Sequence, residues 1–499
     1  MDTEIAGRRE WIGLLVLALP CLLISMDASV LDLAVVPISE DLSPTSTELL
    51  WIVDVYGFVL AASLITMGTL GDRVGRRRML LTGAAGFGAA SVLAAFSSTP
   101  EQLIAARALL GIAGATLMPS TLSLIRNMFT DPAERGKAVG VWLASLSLGG
   151  AIGPLLGGVL IEVAWWGAVF LLAVPVMGLL LVFAPALVPE SRDPHPGRLD
   201  VPSAALSLAA VLLLVYGLKH VAMGESGAAA LAAPAAGALA AGVFIRRQRR
   251  VENPLIDLSL FRVPAFSASL AANLLGFSVL FGVGLFTVQY MQSVLGMSVL
   301  EAGMWMVPSF AGFMVGATLT PVLARRVRPA PLLAAGLVIA AAGFGAIAFV
   351  GGDGLAVLVA GSTVFSLGLA PVFTTSTTTA LGAAPAERAG AASGISETST
   401  ELGAALGLAV LGSLGLAVYR DRIADALPGG VPPQAVDTVG GAVAASERLG
   451  GHAGFSLLEA AQQAFTTGLQ FVAVASAGLA AAMAVLVLVL LRDVRTEPV

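Results

Sequence analysis

Charge is what this sequence has least of. Asp, Glu, Lys and Arg make up 12% of its 499 residues, while 57% are hydrophobic. A soluble domain of that length carries roughly twice the charge, so a water-soluble globule is excluded. There is one cysteine, Cys21, which rules out an internal disulfide or a Cys-based metal site. The histidines (His195, His220 and His452) are too scattered for a metal cluster, so no metal is expected. A net charge of -5 gives no basic footprint for nucleic acid. There is no G-x-x-x-x-G-K-[ST] loop, so ATP is not expected to drive whatever the chain does. No cluster of catalytic residue types is present either, which argues against an enzyme.

What the chain does have is apolar runs. Mean hydropathy is +0.90, and runs long enough to cross a bilayer, ~20 residues each, recur along its length. The first, from Trp11, is too long for a signal peptide, and Asp27 and Asp32 stand where a cleavage site needs small residues. It reads as a retained helix. Helices are expected near 11–36, 49–69, 79–97, 101–125, 137–161, 166–188, 201–221, 228–245, 265–289, 300–323, 331–350, 355–380, 396–418 and 466–491, about fourteen in all. Short loops rich in Lys and Arg stay in the cytoplasm. With a cytoplasmic N-terminus, the inner segments collect Arg73, Arg76, Arg77 and Arg78, then Arg126 and Arg135, then Arg246 to Arg250, then Arg325, Arg326 and Arg328. The outer ones hold only Lys219, Arg420, Arg422 and Arg448. That alternation puts both termini in the cytoplasm.

The runs divide into a six-helix bundle over 1–188, two inserted helices with polar flanks over 189–264, and a second six-helix bundle over 265–499. The last contains a long outer loop, 419–465, whose end, LLEAAQQAF, is expected to form a short amphipathic helix. The GATLTPVLARRVRP stretch faintly repeats the Gly–Arg loop of the first half. Internal duplication is common in secondary transporters.

Several stretches carry chemistry. In GTLGDRVGRRRML (68–80), Gly71 and Gly75 allow a tight reversal, and Asp72 can accept from backbone N–H groups at a helix start and pair with an Arg. In LGGAIGPLLGG (148–158), Gly149, Gly153 and Gly157 recur every four residues, with Gly158 beside them. Small residues at that spacing bring helices close, and Pro154 bends the helix.

Ionisable groups within the apolar runs are expensive in a bilayer and are functional candidates. They are Asp27, Asp54, Arg107, Glu397 and Glu401. Asp54 lies about a turn into its run between Trp51 and Tyr56. Desolvation there favours the protonated carboxyl, and the deprotonated form with nearby rings suits a lipophilic cation. Glu397 and Glu401 are four apart, on one helix face. Arg107 needs a buried partner, for which Asp27 is suited. Trp51, Tyr56, Trp142, Phe281 and Trp305 are candidates for lining a substrate pocket.

These stretches resemble the major facilitator superfamily. The 68–80 loop matches its G-x-L-x-D-R-x-G-R-R/K pattern, RALLGIAGA (107–115) its fourth-helix pattern, and 148–158 its fifth-helix antiporter pattern. MDASVLDLAVVP, WIVDVY and SETSTELG are similar to the first, second and thirteenth helices of the fourteen-helix drug:proton antiporters, among them multidrug and quaternary-ammonium exporters. The resemblance implies an all-α integral membrane fold of the bacterial cytoplasmic membrane, two six-helix bundles plus two inserted helices, acting as a monomer. It implies efflux of lipophilic, often cationic compounds by alternating access, with protons as the coupling ion and no cofactor. It also implies that Gly68, Asp72, Arg73, Gly75 and Arg76 form a cytoplasmic gate and that 149–158 is a hinge and seal. Other readings are a dedicated exporter of one antibiotic or metabolite, and a membrane sensor that transports nothing.

There are departures. Asp32 stands where a small or neutral residue is more usual, and Trp165–Trp166–Gly167 where a Trp–Arg pair is common. The tenth helix has its only acidic residue, Glu301, at its outer end, which points to monovalent rather than divalent cations.

Overall fold

A computed structural model describes residues 6–192, 200–222, 228–251, 254, 256, 258–351, 354–383, 389–424 and 436–492. Among these the secondary structure is helical, without strands. That follows from hydropathy. Inside a bilayer each backbone N–H and C=O must be bonded within the protein, and a helix does this within one segment. Eleven of the helices are long and apolar enough to cross a membrane. Large apolar side chains are left on the outside, such as Phe349 at 85% exposed and Val163 at 82%, as lipid contact permits.

The chain divides into two compact units, one of residues 1–34 and 51–208, the other of residues 35–50 and 209–499. The first unit holds most of α1 (Arg8–Leu42) and α2 (Ser46–Val74), then α3 (Arg76–Ala95), α4 (Pro100–Met128), α5 (Pro132–Val163), α6 (Ala168–Leu171), α7 (Ala173–Leu187) and the start of α8 (Val201–Ala222). The expected helix at 166–188 is thus two pieces that meet at Leu172. The second unit holds α9 (Ala228–Gln248), a 3-10 turn (Leu260–Arg262), α10 (Pro264–Ser293), α11 (Val299–Ala324), α12 (Pro329–Ile347) and α13 (Leu355–Gly382). It continues with α14 (Ala389–Leu406), a π-helical segment (Gly407–Gly412), α15 (Ser413–Ala424), α16 (Val439–Leu449) and α17 (Gly451–Leu490).

Two expectations are corrected. The 68–80 stretch is hardly a loop: α2 runs through to Val74, and the break is at Gly75, whose φ is +116°. Gly71 is helical, so only Gly75 needs the freedom of a missing Cβ. The apolar end of the outer loop is not a separate short helix either. LLEAAQQAF lies inside the 40-residue α17, because nothing in it interrupts an apolar helical face. The separate short helix is α16, capped by Thr438, whose hydroxyl accepts from Gly441 N at 3.1 Å.

Close helix approach is arranged by glycine. A Cβ on Gly149 would sit 2.2 Å from the Leu22 carbonyl oxygen, and one on Gly157 would sit 2.5 Å from Val30 Cγ1. The repeat in α5 is therefore the seam against α1. Gly111 on α4 does the same for α2, with a Cβ position 2.7 Å from Tyr56 O.

Candidate functional site

The closeness of α2 and α4 lets Arg107 reach the α2 backbone. Its side chain is 2% exposed. Nη1 donates to Asp27 Oδ2 at 2.7 Å, Nε to Ile52 O at 3.1 Å and Nη2 to Val53 O at 3.2 Å. The guanidinium carbon lies 4.9 Å from the Tyr56 ring centroid and 6.0 Å from that of Phe170. A planar fork with three hydrogen-bonded nitrogens and a ring beneath it is a site for Arg, which Lys could not reproduce. The ion pair suggested by the sequence is present, and it ties α1, α2 and α4 together at one point.

Asp54 follows the two carbonyls that Arg107 holds and is 1% exposed. Asp32, one of the departures, is 9% exposed and within electrostatic reach of Arg107. A small pocket opens beside Asp27, walled by Leu23, Met26 and Val30 of α1, Phe87 of α3 and Phe170 of α6. Three carboxylates, one cation and two rings are thus gathered in the first unit. Such a group can hold a proton or exchange it for an organic cation.

The second unit presents Glu397 and Glu401 on α14, both half-buried. That helix is seated on α10: a Cβ on Gly403 would meet Leu274 O at 2.4 Å and one on Gly407 would meet Ser278 O at 2.0 Å. Ser278 Oγ donates to Gly403 O at 2.8 Å and Ser399 Oγ to Leu270 O at 3.2 Å. The π-helical segment starts six residues beyond Glu401. An added residue per turn there changes the rotation between the carboxylates and the rest of the helix.

Of the aromatic candidates, Tyr56 sits against Arg107. Trp142 is 5% exposed, with Nε1 3.2 Å from Thr121 Oγ1, so its indole is engaged between α4 and α5. Trp51 is half-buried, and Trp305 stands 43% exposed on α11. Phe281 is brought to a ladder that the sequence did not reveal. Its ring is 6.3 Å from Phe277, which stacks on Phe373 at 3.9 Å, and Phe313 lies 6.0 Å beyond. The four rings come from three helices, and no single-helix periodicity connects them.

The basic turn has a partner that sequence reasoning missed. Glu190, just past α7, accepts from Arg77 N at 3.0 Å and lies 3.9 Å from the Nε atoms of Arg77 and Arg78. Arg76 N donates to Ser191 O at 2.8 Å, and Arg77 Nη1 to Val188 O at 3.1 Å. A Cβ on Gly75 would fall 2.7 Å from a Glu190 carboxylate oxygen, so the glycine makes room for it. The available signal was a charged PES sequence directly after an apolar helix. A Cβ on Gly68 would lie 3.8 Å from Pro119 Cβ of α4, and Arg73 is exposed in the last turn of α2, where a cation suits the helix dipole. The side chain of Asp72 lies outside the described residues. Gly153, Pro154 and Gly158 are buried in α5. Glu301 closes a capping box with Ser298 at the start of α11, a structural role.

The Major Facilitator Superfamily model matches residues 17–408. The chain is 45% identical over 484 residues to the multidrug efflux pump LfrA of Mycolicibacterium smegmatis, with 96% of each chain covered. It is 34% identical to the methyl viologen resistance protein SmvA of Salmonella typhimurium, over 94% of this chain and 96% of that one. The tetracenomycin C resistance and export protein of Streptomyces glaucescens is 33% identical, over 92% and 88%. In fold, the chain superposes on a bacterial homolog of the human lysosomal transporter Spinster. The TM-score is 0.71 at 18% identity, with 99% of this chain and 100% of that chain covered.

Proposed function

The chain belongs to the major facilitator superfamily, and from that premise we propose that it exports lipophilic, often cationic drugs in exchange for protons. It is a multi-pass transporter of the bacterial cytoplasmic membrane and not an enzyme. The observation that carries the exchange reading is the group formed by Arg107 and Asp54, both buried, with the partly buried Asp27 paired to Arg107 at 2.7 Å. Arg107 neutralises one carboxylate, and the two that remain, Asp32 and Asp54, leave a place for further positive charge. A proton and an organic cation compete for that place, so binding one releases the other. Relatives named for multidrug efflux and methyl viologen resistance support a cationic cargo.

The remaining features complete the reading. Fourteen spans with both termini inside account for the loop charges. The two inserted helices lie between six-helix halves, as alternating access in this superfamily requires two rocking bundles. The protein works as a monomer. Gly68, Asp72, Arg73, Gly75 and Arg76 form the inner gate with Glu190. The α5 glycine seam seals α1 against leak. Each pH unit supplies about 1.4 kcal/mol per proton and each 100 mV about 2.3 kcal/mol per charge. A second titrating carboxylate would therefore make export respond to membrane potential as well as to pH.

The test is transport of ethidium by the full chain in liposomes under an imposed pH gradient. Uptake that depends on the gradient and collapses in Asp54→Asn is expected. Gradient-driven transport unchanged by that substitution would sink the site assignment. A second reading, a dedicated exporter of one antibiotic, draws on the likeness to the tetracenomycin C exporter. It predicts no response to ethidium but saturable transport of a single antibiotic.

A further inference from the structure

Asn273 on α10 is 1% exposed, in a stretch, 264–286, otherwise made of apolar residues, Ser and Gly. Its Nδ2 donates to Thr400 Oγ1 on α14 at 2.8 Å. Its Oδ1 is buried and has no hydrogen-bond partner among the described residues. A buried amide oxygen left without a donor is costly, so its retention calls for a donor that is present only in part of the working cycle.

The position suggests which donor. Thr400 passes its own proton to Ser396 O at 3.2 Å, so it cannot also serve Oδ1. Glu397 lies three residues before Thr400, on the same side of α14, where side chains are about 5–6 Å apart at Cβ. As a carboxylate, Glu397 offers no proton and would repel the amide oxygen. As a carboxylic acid, it offers an O–H. Among the described residues, α10, α13 and the π-helical segment, which pack on α14, contain no Asp, Glu, His, Lys or Arg. The charged group on α14 beside Glu397 is Glu401.

We propose that Asn273 is the positioning residue that recognises the protonated form of Glu397, through a hydrogen bond from the carboxylic O–H to Asn273 Oδ1. The bond to Thr400 holds the amide in place for this. Proton arrival at Glu397 creates the O–H and satisfies the buried oxygen. Binding of an organic cation expels the proton, and the bond is lost. Asn273 thereby sets how acidic the solution must be before cargo is released. The proposal rests on Glu397 being a coupling carboxylate, and its test must separate the two.

The full-length protein is purified in detergent, and ethidium binding is followed by fluorescence polarisation as pH is varied. Asn273→Leu removes the acceptor. The midpoint below which binding is lost is expected to move to lower pH by about half to one unit, a three- to tenfold loss of proton affinity. Asn273→Asp keeps the oxygen and adds a negative charge, so its midpoint is expected to move to higher pH. A purely structural role would weaken both variants without moving their midpoints in opposite directions. Should the leucine variant not fold, the aspartate variant alone decides by the direction of its shift. Unmoved midpoints, or equal weakening at every pH, would overturn the role of Asn273. Glu397→Gln is the control: if it leaves the pH profile of the wild-type chain intact, the coupling role of Glu397 itself has failed.

Discussion

Arg107 Nη1 lies 2.7 Å from Asp27 Oδ2 while the other two guanidinium nitrogens hold the carbonyls of Ile52 and Val53. The pair ties the fold to the proposed site, so single substitutions cannot separate a structural role from a functional one. Arg107→Ala leaves the largely buried Asp27 carboxylate without its cation and removes the donors to Ile52 O and Val53 O. It should cost about 3–5 kcal/mol, read as a large fall in thermal midpoint, with transport lost. Replacing both residues with apolar ones of similar size should restore most of the midpoint and none of the transport. Recovery of transport in the double variant would show that the pair only supports the fold.

At the α2–α3 turn, Glu190 is 29% exposed and its partner Arg77 31%, so the charges themselves contribute little, about 0–1 kcal/mol. The bond to Arg77 N is the durable part. Glu190→Gln keeps an acceptor there and should leave hydrogen exchange at residues 75–78 near wild type. Glu190→Ala should speed exchange at those amides and shift the balance of inward and outward states. Equal exchange in both variants would mean that the carboxylate charge dominates instead.

The α5 seam makes a prediction about space. In Gly149→Ala a new methyl would have to share the place of the Leu22 carbonyl at 2.2 Å. Backbone cannot move aside as a side-chain tip can, so α1 and α5 must separate, at about 1–3 kcal/mol. Gly140, in the same helix, has nothing within 4 Å. Gly140→Ala should be neutral or gain about 0.5–1 kcal/mol from helix propensity. Thermal midpoints of the two variants should therefore differ in sign.

How much of this could be read from the sequence depended on whether one helix carried the signal. Arg107 and Asp27 were legible because an unpaired charge in an apolar run demands a partner. The α5 seam was legible because its glycines repeat along one helix. The ladder of Phe277, Phe281, Phe313 and Phe373 was not, because it joins three helices whose register only tertiary packing fixes. Glu190 was hidden as an ordinary polar flank. The helix ends were misread for a related reason. Apolar length measures the bilayer, whereas α1 continues through Glu40 and Asp41, and α2 through Asp72, until Gly75 allows a turn.

The π-helical segment Gly407–Gly412 gives a register prediction. Its extra residue offsets Glu397 and Glu401 from α15 by ~100° relative to an unbroken α-helix. Deleting Leu408 should convert the segment to α-helix while it keeps apolar packing. Helical content should stay unchanged, and proton-driven ethidium transport should fall at least tenfold, about 1.4 kcal/mol in rate terms. Retained transport would mean that the carboxylates tolerate rotation and the bulge only absorbs a packing mismatch.

Glu40 gives a pH prediction outside the candidate spans. Its carboxyl is held above the ordinary value, first by burial and then by the charge of Glu447. A carboxyl with a raised folded-state pKa binds its proton more tightly in the folded chain than in the unfolded one. Its stability contribution is complete below the unfolded pKa and is lost as pH rises through the folded one. The full penalty therefore stands at neutral pH. Glu40→Gln should raise the thermal midpoint at neutral pH and leave it unchanged in acid, where both forms are neutral. Glu447→Gln should recover part of the same gain, because burial, the larger cause, would persist. A Glu40→Gln midpoint no higher at neutral pH than in acid, measured against wild type, would remove Glu40 as a source of the dependence.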